Sequence, residues 1–114
     1  MPIDQSFVPL KPLLGFLGLL LIVLGCVEYY VGERKVINQF VGFRVPPTYR
    51  NPDVWKAVNM RAGLLTVLHG IFVTIAGLVL PKVKLLTFLL ILLLPLAAVI
   101  TYGTWYAYQL EKTI

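Results

Sequence analysis

The chain is poor in charged residues and in the side chains that carry most chemistry. Only 13% of its 114 residues are charged, whereas soluble domains have roughly 25%, so the chain cannot cover a water-facing surface. Its single cysteine, Cys26, has no partner for a disulfide, and its single histidine, His69, lies far from it in sequence. Clustered metal ligands are therefore missing, and we predict neither a metal nor a cofactor.

The same scarcity argues against several classes of function. The sequence shows no paired carboxylates, no Ser–His–Asp arrangement and no phosphate-binding glycine loop, so we predict that the protein is not an enzyme. Its basic residues are few and lie beside apolar runs, which argues against nucleic-acid binding. A pump or channel would need more polar side chains along a pathway than one histidine and a few threonines, although an oligomer could build one.

Apolar residues dominate what is present. They make up 59% of the chain, and the mean hydropathy is +0.86. A transmembrane helix needs about 20 largely apolar residues, and three runs are long enough, at about 13–31, 62–80 and 85–108. The first run is too long for the apolar region of a signal peptide, the alternative interpretation, so we keep it as a span. The sequence predicts an all-α membrane protein with three transmembrane helices, and residues 1–114 as one integral membrane domain.

The basic residues predict the orientation, because short cytoplasmic loops carry an excess of Lys and Arg. Seven of them lie in the loop after the first span and in the C-terminal tail, against three on the other side. The seven are Arg34, Lys35, Arg44, Arg50, Lys56, Arg61 and Lys112, and the three are Lys11, Lys82 and Lys84. We expect a multi-pass protein of the cell (plasma) membrane with its N-terminus outside, and with the 32–61 loop and C-terminus in the cytoplasm.

Small residues in the spans predict where helices pack, because lipid supplies no hydrophobic force between them. The glycines of the second span are seven apart and fall on one helical stripe, and the first span has a less regular set. They are Gly63, Gly70 and Gly77 in the second span, and Gly15, Gly18 and Gly25 in the first. We interpret the two sets as packing faces that meet each other or a second copy, in preference to a cavity lining.

His69 lies near the middle of the second span, and Pro95 lies inside the third. An ionisable residue at membrane depth is a functional candidate by default. His69 could bind a ligand, relay a proton, or be neutral and hydrogen-bonded to Thr101, Thr66 or a backbone carbonyl, and the packing role is favoured. Pro95 removes the hydrogen bond to the carbonyl of Ile91 and predicts a fixed bend, with a hinge as the alternative.

Glu28 is the second ionisable residue at this depth, about one turn before the end of the first span. It lies near enough to the membrane surface to reach Arg34, Lys35 or water. We therefore predict an interfacial ion pair, with a functional role as the alternative.

The segment 38–63 is more elaborate than a linker between two spans requires. Asn51-Pro52-Asp53 is a helix start, because Asn caps free amides, Pro suits the first helical position and Asp complements the helix dipole. We expect a short amphipathic helix at the membrane surface that runs into the second span. Its apolar face would hold Val54, Trp55, Val58 and Ala62, with Lys56 and Asn59 outside that stripe.

The residues before that helix predict a rigid, extended stretch. Val45-Pro46-Pro47-Thr48 is expected to be non-helical, because residues preceding proline are pushed to extended geometry. Gly42 suits a tight turn or a close backbone approach. Arg44 would be held between Gly42 and Pro46, and we predict that it makes a fixed hydrogen-bonded contact, either within the loop or with a ligand.

A spaced set of residues across this segment resembles a known family signature. The set consists of Asn38, Gly42, Arg44, Pro46, Thr48, Asn51, Trp55, Asn59 and Gly63. It is similar to the signature of the SdpI family, immunity proteins against a sporulation-delaying toxin, and the resemblance covers about 19–80. A glycine-bearing span before the signature and a glycine-rich span after it match as well. The resemblance implies a small multi-span membrane protein with a role in immunity.

We predict that the protein protects the cell, in an immunity-like or signalling role, by binding a partner or peptide at the membrane through the 38–63 loop. The alternative is a small accessory or structural subunit of a larger membrane complex. Binding of lipid is a third hypothesis, because basic residues near the membrane attract anionic headgroups by about 1 kcal/mol each. The expected partners are the bilayer, a peptide ligand, another membrane protein or a second copy.

Overall fold

The computed structural model describes residues 9–113 and forms four helices within that range. They are α1 (Leu10–Glu33), α2 (Pro46–Arg50), α3 (Pro52–Val79) and α4 (Leu85–Thr113). Helices α1, α3 and α4 are long and apolar enough to cross a membrane. The prediction of an all-α membrane protein with three spanning helices is confirmed for this part of the chain.

The amphipathic helix expected before the second span is the first part of α3. The side-chain oxygen of Asn51 accepts the N–H of Asp53 at 2.8 Å, which confirms Asn51 as the helix cap. From Pro52 the helix continues without a break to Val79. Helix α4 likewise runs past the predicted end at residue 108 to Thr113, because no glycine or proline follows Gly103 to end it.

The prediction that residues 45–48 cannot be helical is wrong, since Pro46 and Pro47 open helix α2. Only Val45 is extended, at φ −129° and ψ 162°. The first-turn amides of a helix have no intrahelical partner, so two prolines remove no helical hydrogen bond there. The hydroxyl of Thr48 closes the turn by accepting the N–H of Val45 at 3.1 Å and donating to its carbonyl at 2.7 Å.

Helices α1 and α3 are antiparallel and meet backbone to backbone. A Cβ atom placed on Gly70 would lie 2.7 Å from the carbonyl oxygen of Gly18, and one on Gly63 would lie 2.7 Å from that of Gly25. A Cβ on Gly77 would lie 2.8 Å from the backbone nitrogen of Gly15. The two glycine sets therefore face each other, which was the first of the two predicted arrangements.

Helix α4 is held at its two ends. At the end remote from the loop an apolar cluster joins all three long helices, and at the loop end a second cluster joins α3 to α4. The first contains Leu10, Leu14, Val73, Val83 and Phe88, and the second contains Val54, Val58 and Ala107. Between these clusters α1 and α4 have little contact with each other, whereas both pack on α3, so a cleft lies between them.

Candidate functional site: the 38–63 loop and the groove beneath it

Asn38 folds the first part of the loop around its own side chain. Its carbonyl oxygen accepts the N–H groups of Phe40 and Val41 at 2.9 and 2.7 Å. Its amide nitrogen donates to the carbonyls of Val36 and Val41 at 2.9 and 3.0 Å. A side chain that bonds to nearby backbone groups in this way replaces the hydrogen bonds of regular structure. Asn38 therefore fixes the turn that leads to Gly42.

Asn59 anchors the loop to α3. Its side-chain oxygen accepts the N–H of Phe43, and its amide nitrogen donates to the carbonyls of Phe43 and Trp55 at 3.3 and 3.1 Å. The side chain is fully buried, so the prediction that Asn59 lies outside the buried stripe is wrong. Asn59 lies four residues after Trp55 and therefore on the same face of the helix. These hydrogen bonds compensate for the burial of its polar side chain.

Trp55 joins α3 to α1, and Gly42 lies against Trp55 and Asn59 of α3. The indole Nε1–H of Trp55 donates to the carbonyl of Val31 at 3.0 Å, in the last turn of α1. Gly42 has a φ of 115°, and a Cβ there would lie 2.9 Å from both Asn59 Oδ1 and the Trp55 ring. Only glycine tolerates this backbone conformation and this contact together. The structure confirms the tight turn and close approach predicted at Gly42.

Phe43 extends the loop to α4. A Cβ placed on Gly103 would lie 2.7 Å from the ring carbon Cζ of Phe43, so the ring lies directly against the α4 backbone. Gly103 is missing from our predicted site residues. The signal that could have found it is a glycine within an otherwise large-residue stretch of a span.

Two arginines clamp the loop end of α4. Arg50 donates from Nε and Nη2 to both carboxylate oxygens of Glu111 at 2.9 Å, and this hydrogen bonding raises the pKa of Arg50. Arg61 donates to the hydroxyl of Tyr102 at 2.8 Å and lies 4.4 Å from the ring centre of Tyr106. Both arginines are among the basic residues that predict the orientation, and the sequence pattern assigns a partner to neither. Their partners could not be identified from sequence because each pair joins residues more than 40 positions apart.

Arg44 differs from these two arginines. Its side chain is exposed, and it makes no side-chain hydrogen bond within residues 9–113. The neighbouring Phe43 and Val45 are both bonded through their backbones, to Asn59 and Thr48 respectively. The backbone on both sides of Arg44 is thus fixed, while its guanidinium has no hydrogen-bond partner within residues 9–113. A contact within the loop is not formed, and a contact with a ligand stays a prediction.

His69 makes the hydrogen bond to a backbone carbonyl that was one of its predicted alternatives. It is buried, at 6% exposure, and its Nε2 lies 3.1 Å from the carbonyl oxygen of Ile91. A carbonyl only accepts, so Nε2 carries the proton. Ile91 is four residues before Pro95, and its carbonyl is the one that proline leaves without a helical partner. His69 therefore satisfies the group that Pro95 frees, and it joins α3 to α4.

Glu28 does not form the predicted ion pair. Lys35 pairs instead with Asp53 at 2.7 Å, and the guanidinium of Arg34 lies over the ring of Tyr30. Glu28 accepts a hydrogen bond from the hydroxyl of Thr66 on α3 at 3.2 Å. The prediction is wrong because the side chain of Glu28 turns toward Thr66 of α3 beneath the loop. It does not extend along α1 toward Arg34 and Lys35.

Apart from Arg44, the predicted site residues thus fall into four groups. Gly42, Trp55 and Asn59 lie in contact where the loop meets α3, and Asn38 shapes the turn before Gly42. Pro46, Thr48 and Asn51 shape α2 and the start of α3. Gly63, Gly70 and Gly77 belong to the α1–α3 interface. His69 and Glu28 line adjoining parts of one groove between α1 and α4, described below. Within residues 9–113 no group of three metal-ligating side chains is found.

Comparison with known proteins gives one match. The model of a family described as the SdpI/YfhL protein family matches residues 34–106, which is more than half of the chain. The matched region contains the loop, α2, α3 and most of α4, so it extends further toward the C-terminus than the signature resemblance and begins after α1. No curated protein and no solved structure matches.

Proposed function

Because the chain belongs to the SdpI/YfhL protein family, we propose that this multi-pass membrane protein gives immunity-like protection by binding a peptide or partner protein through its 38–63 loop. The proposal is one of binding and not of catalysis. It also carries the orientation predicted from the basic residues, with the loop at the cytoplasmic face of the cell membrane and the N-terminus outside.

The observation that carries this proposal is the free guanidinium of Arg44 on a fixed backbone. An arginine offers five N–H donors in a planar fork that suits a carboxylate or a row of carbonyl oxygens. Asn38, Asn59 and Thr48 hold the loop by hydrogen bonds, so little conformational entropy remains to be lost on binding. A prefolded loop with one uncommitted arginine is therefore suited to recognition.

The proposal is tested by expressing the chain in a host sensitive to the sporulation-delaying toxin to which the family resemblance points. We expect Arg44→Ala to lose protection while its level in the membrane stays that of the wild type. Lys112→Ala is the matched control, because Lys112 is an exposed cation on the same predicted side of the membrane but outside the 38–63 loop. Full protection by Arg44→Ala would refute the recognition role, and loss of the variant from the membrane would make Arg44 structural.

An accessory subunit of a larger membrane complex is the second candidate. The observation that favours it is the sparse packing of α4, in which only Phe88, Gly103 and Ala107 are buried. Purification in a mild detergent separates the two. A fixed stoichiometric complex with other subunits would support the subunit role, and a free chain that still protects cells would support the first proposal.

A further inference from the structure

A groove runs under the loop in the cleft between α1 and α4, with α3 as its floor. Two cavities make it up, of about 280 Å³ beside Glu28 and about 250 Å³ beside His69. They are continuous, since Leu21, Leu24 and Leu96 line both. From Leu17 to Glu28 the α1 wall is about 16 Å long at 1.5 Å per residue, which is about three helical turns.

Glu28 is the one carboxylate along this apolar groove. The ion pairs in residues 9–113 are Lys35–Asp53 and Arg50–Glu111, so Glu28 has no cation beside it. Within the described part of the chain, its one side-chain partner is the hydroxyl of Thr66, which also lies 2.8 Å from the carbonyl of Ala62. A carboxylate among apolar side chains is costly unless it meets a positive charge.

We propose that this groove receives an apolar helical peptide segment bearing one Lys or Arg, whose side chain pairs with Glu28. The choice of a peptide rests on the proposed function, whereas the groove and its carboxylate do not. The peptide is helical because backbone groups within hydrocarbon must bond internally. The groove opens sideways between α1 and α4, so such a helix enters from the lipid and lies beside three turns of α1, under the loop.

A second copy of this chain is a poorer occupant on charge grounds. To pair with Glu28 it would have to bring a cation to the same depth. Arg61, at the start of the apolar part of α3, is already bonded to Tyr102 and stacked on Tyr106, and Arg44 is held in the loop outside the three long helices. The groove therefore fits a foreign segment better than a copy of the chain.

The test uses the full chain in nanodiscs of phosphatidylcholine, whose headgroup has no primary ammonium. The probes are two fluorescent Leu/Ala helices of about 20 residues, one with a single Lys about one turn from its end and one with norleucine there. We expect the Lys peptide to bind the wild type at least about tenfold more tightly than the norleucine peptide. Glu28→Gln should abolish that difference.

Glu33→Gln is the matched control, because Glu33 is an exposed carboxylate on the same helix, and it should retain the preference. Glu28→Lys should reverse the preference toward a peptide with Glu in place of Lys, which shows that a folded variant binds by charge. Equal binding of the Lys and norleucine peptides, no binding of either, or an unchanged preference in Glu28→Gln would overturn the proposal.

Two further results would assign the groove to another occupant and so also overturn the proposal. Self-association of the wild type that Glu28→Gln abolishes would assign it to a second copy. Loss of the Lys preference when phosphatidylethanolamine is added would assign it to a lipid headgroup. Cell protection that depends on Arg44 but not on Glu28 would leave the proposed function intact while the groove proposal fails.

Discussion

The α1–α3 pair inside the membrane and the loop above it are held together by different kinds of contact. In the pair, glycines let one backbone lie against the other, as Gly18 does at Gly70. In the loop, the side chains of Asn38 and Asn59 bond to backbone donors and acceptors of other residues. The first interface depends on side chains being absent, and the second depends on particular side chains being present.

This difference separates the interface that packs the helices in the membrane from the loop that we propose for recognition. A glycine interface supplies close packing in lipid but offers a ligand no distinctive group. The loop supplies fixed hydrogen-bonding geometry and leaves Arg44 free. Most residues of the family signature lie in the loop or at its anchor on α3. Substitutions in either region test this difference, and those at the glycine interface are expected to lower stability most.

The largest loss of stability is expected for Gly18→Ala. A Cβ there would meet the Thr74 hydroxyl and lie 2.6 Å from the Thr74 backbone nitrogen, so the helices must separate. We expect the free energy of unfolding in detergent to fall by about 3 kcal/mol, the upper end for an overpacked core. Gly15→Ala is the matched control on the same helix, since a Cβ at Gly15 meets nothing within 4 Å. Equal stability of the two variants would contradict the backbone contact.

Asn59→Leu should have the next largest effect. It leaves the N–H and carbonyl of Phe43 without partners, and the expected cost is about 2 kcal/mol of unfolding free energy. The loop should also become a substrate for limited proteolysis. Gly18→Ala is not expected to expose the loop specifically. Lys56→Leu puts the same side chain on an exposed position of the same helix and should leave cleavage unchanged. A loop that resists protease in Asn59→Leu would show that Asn59 is not its anchor.

The His69–Pro95 pairing predicts a smaller effect that depends on context. His69→Leu should cost about 1 kcal/mol in the wild type, because the carbonyl of Ile91 loses its donor. With Pro95→Ala, the new backbone N–H at residue 95 can bond that carbonyl, so His69→Leu should then cost almost nothing. A double-mutant cycle of unfolding free energies measures this coupling. Additive effects would mean that His69 does not serve the carbonyl that Pro95 frees.

Arg44→Ala should have the smallest effect on folding. The side chain is exposed and unbonded, so we expect the unfolding free energy to stay within about 0.5 kcal/mol of the wild type. Arg61→Ala, which removes the contacts with Tyr102 and Tyr106, should be the less stable of the two. A destabilised Arg44→Ala would place Arg44 among the residues that hold the loop.

Features that depend on local pattern were predictable from the sequence. The three spans, the Asn51 cap, the turn at Gly42 and the glycine stripe of α3 follow from composition, spacing and the conformational limits of single residues. The errors concern which way a side chain faces and which distant residue it meets. The sequence pattern predicts the wrong face for Asn59, and it predicts no helix at Pro46–Pro47 although the first helical turn accepts proline.

Partners across helices could not be predicted, because they depend on how each helix is rotated and tilted. Glu28 has two basic residues close by in sequence, yet it turns to Thr66 on another helix. Arg50 pairs with Glu111 near the C-terminal end of α4. The Ile91 carbonyl freed by Pro95 could be predicted from the sequence, but its donor, His69, could be identified only from the packed structure.

The central claim is that the loop is already folded before any partner binds. It is tested most directly by amide hydrogen exchange of the full chain in nanodiscs, with no peptide added. The amides of Val41, Phe43 and Thr48 donate within the loop and should exchange at least about tenfold more slowly than those of residues 82–84 in the other connection. Equal exchange in the two connections would contradict the claim and show that the loop orders only on binding.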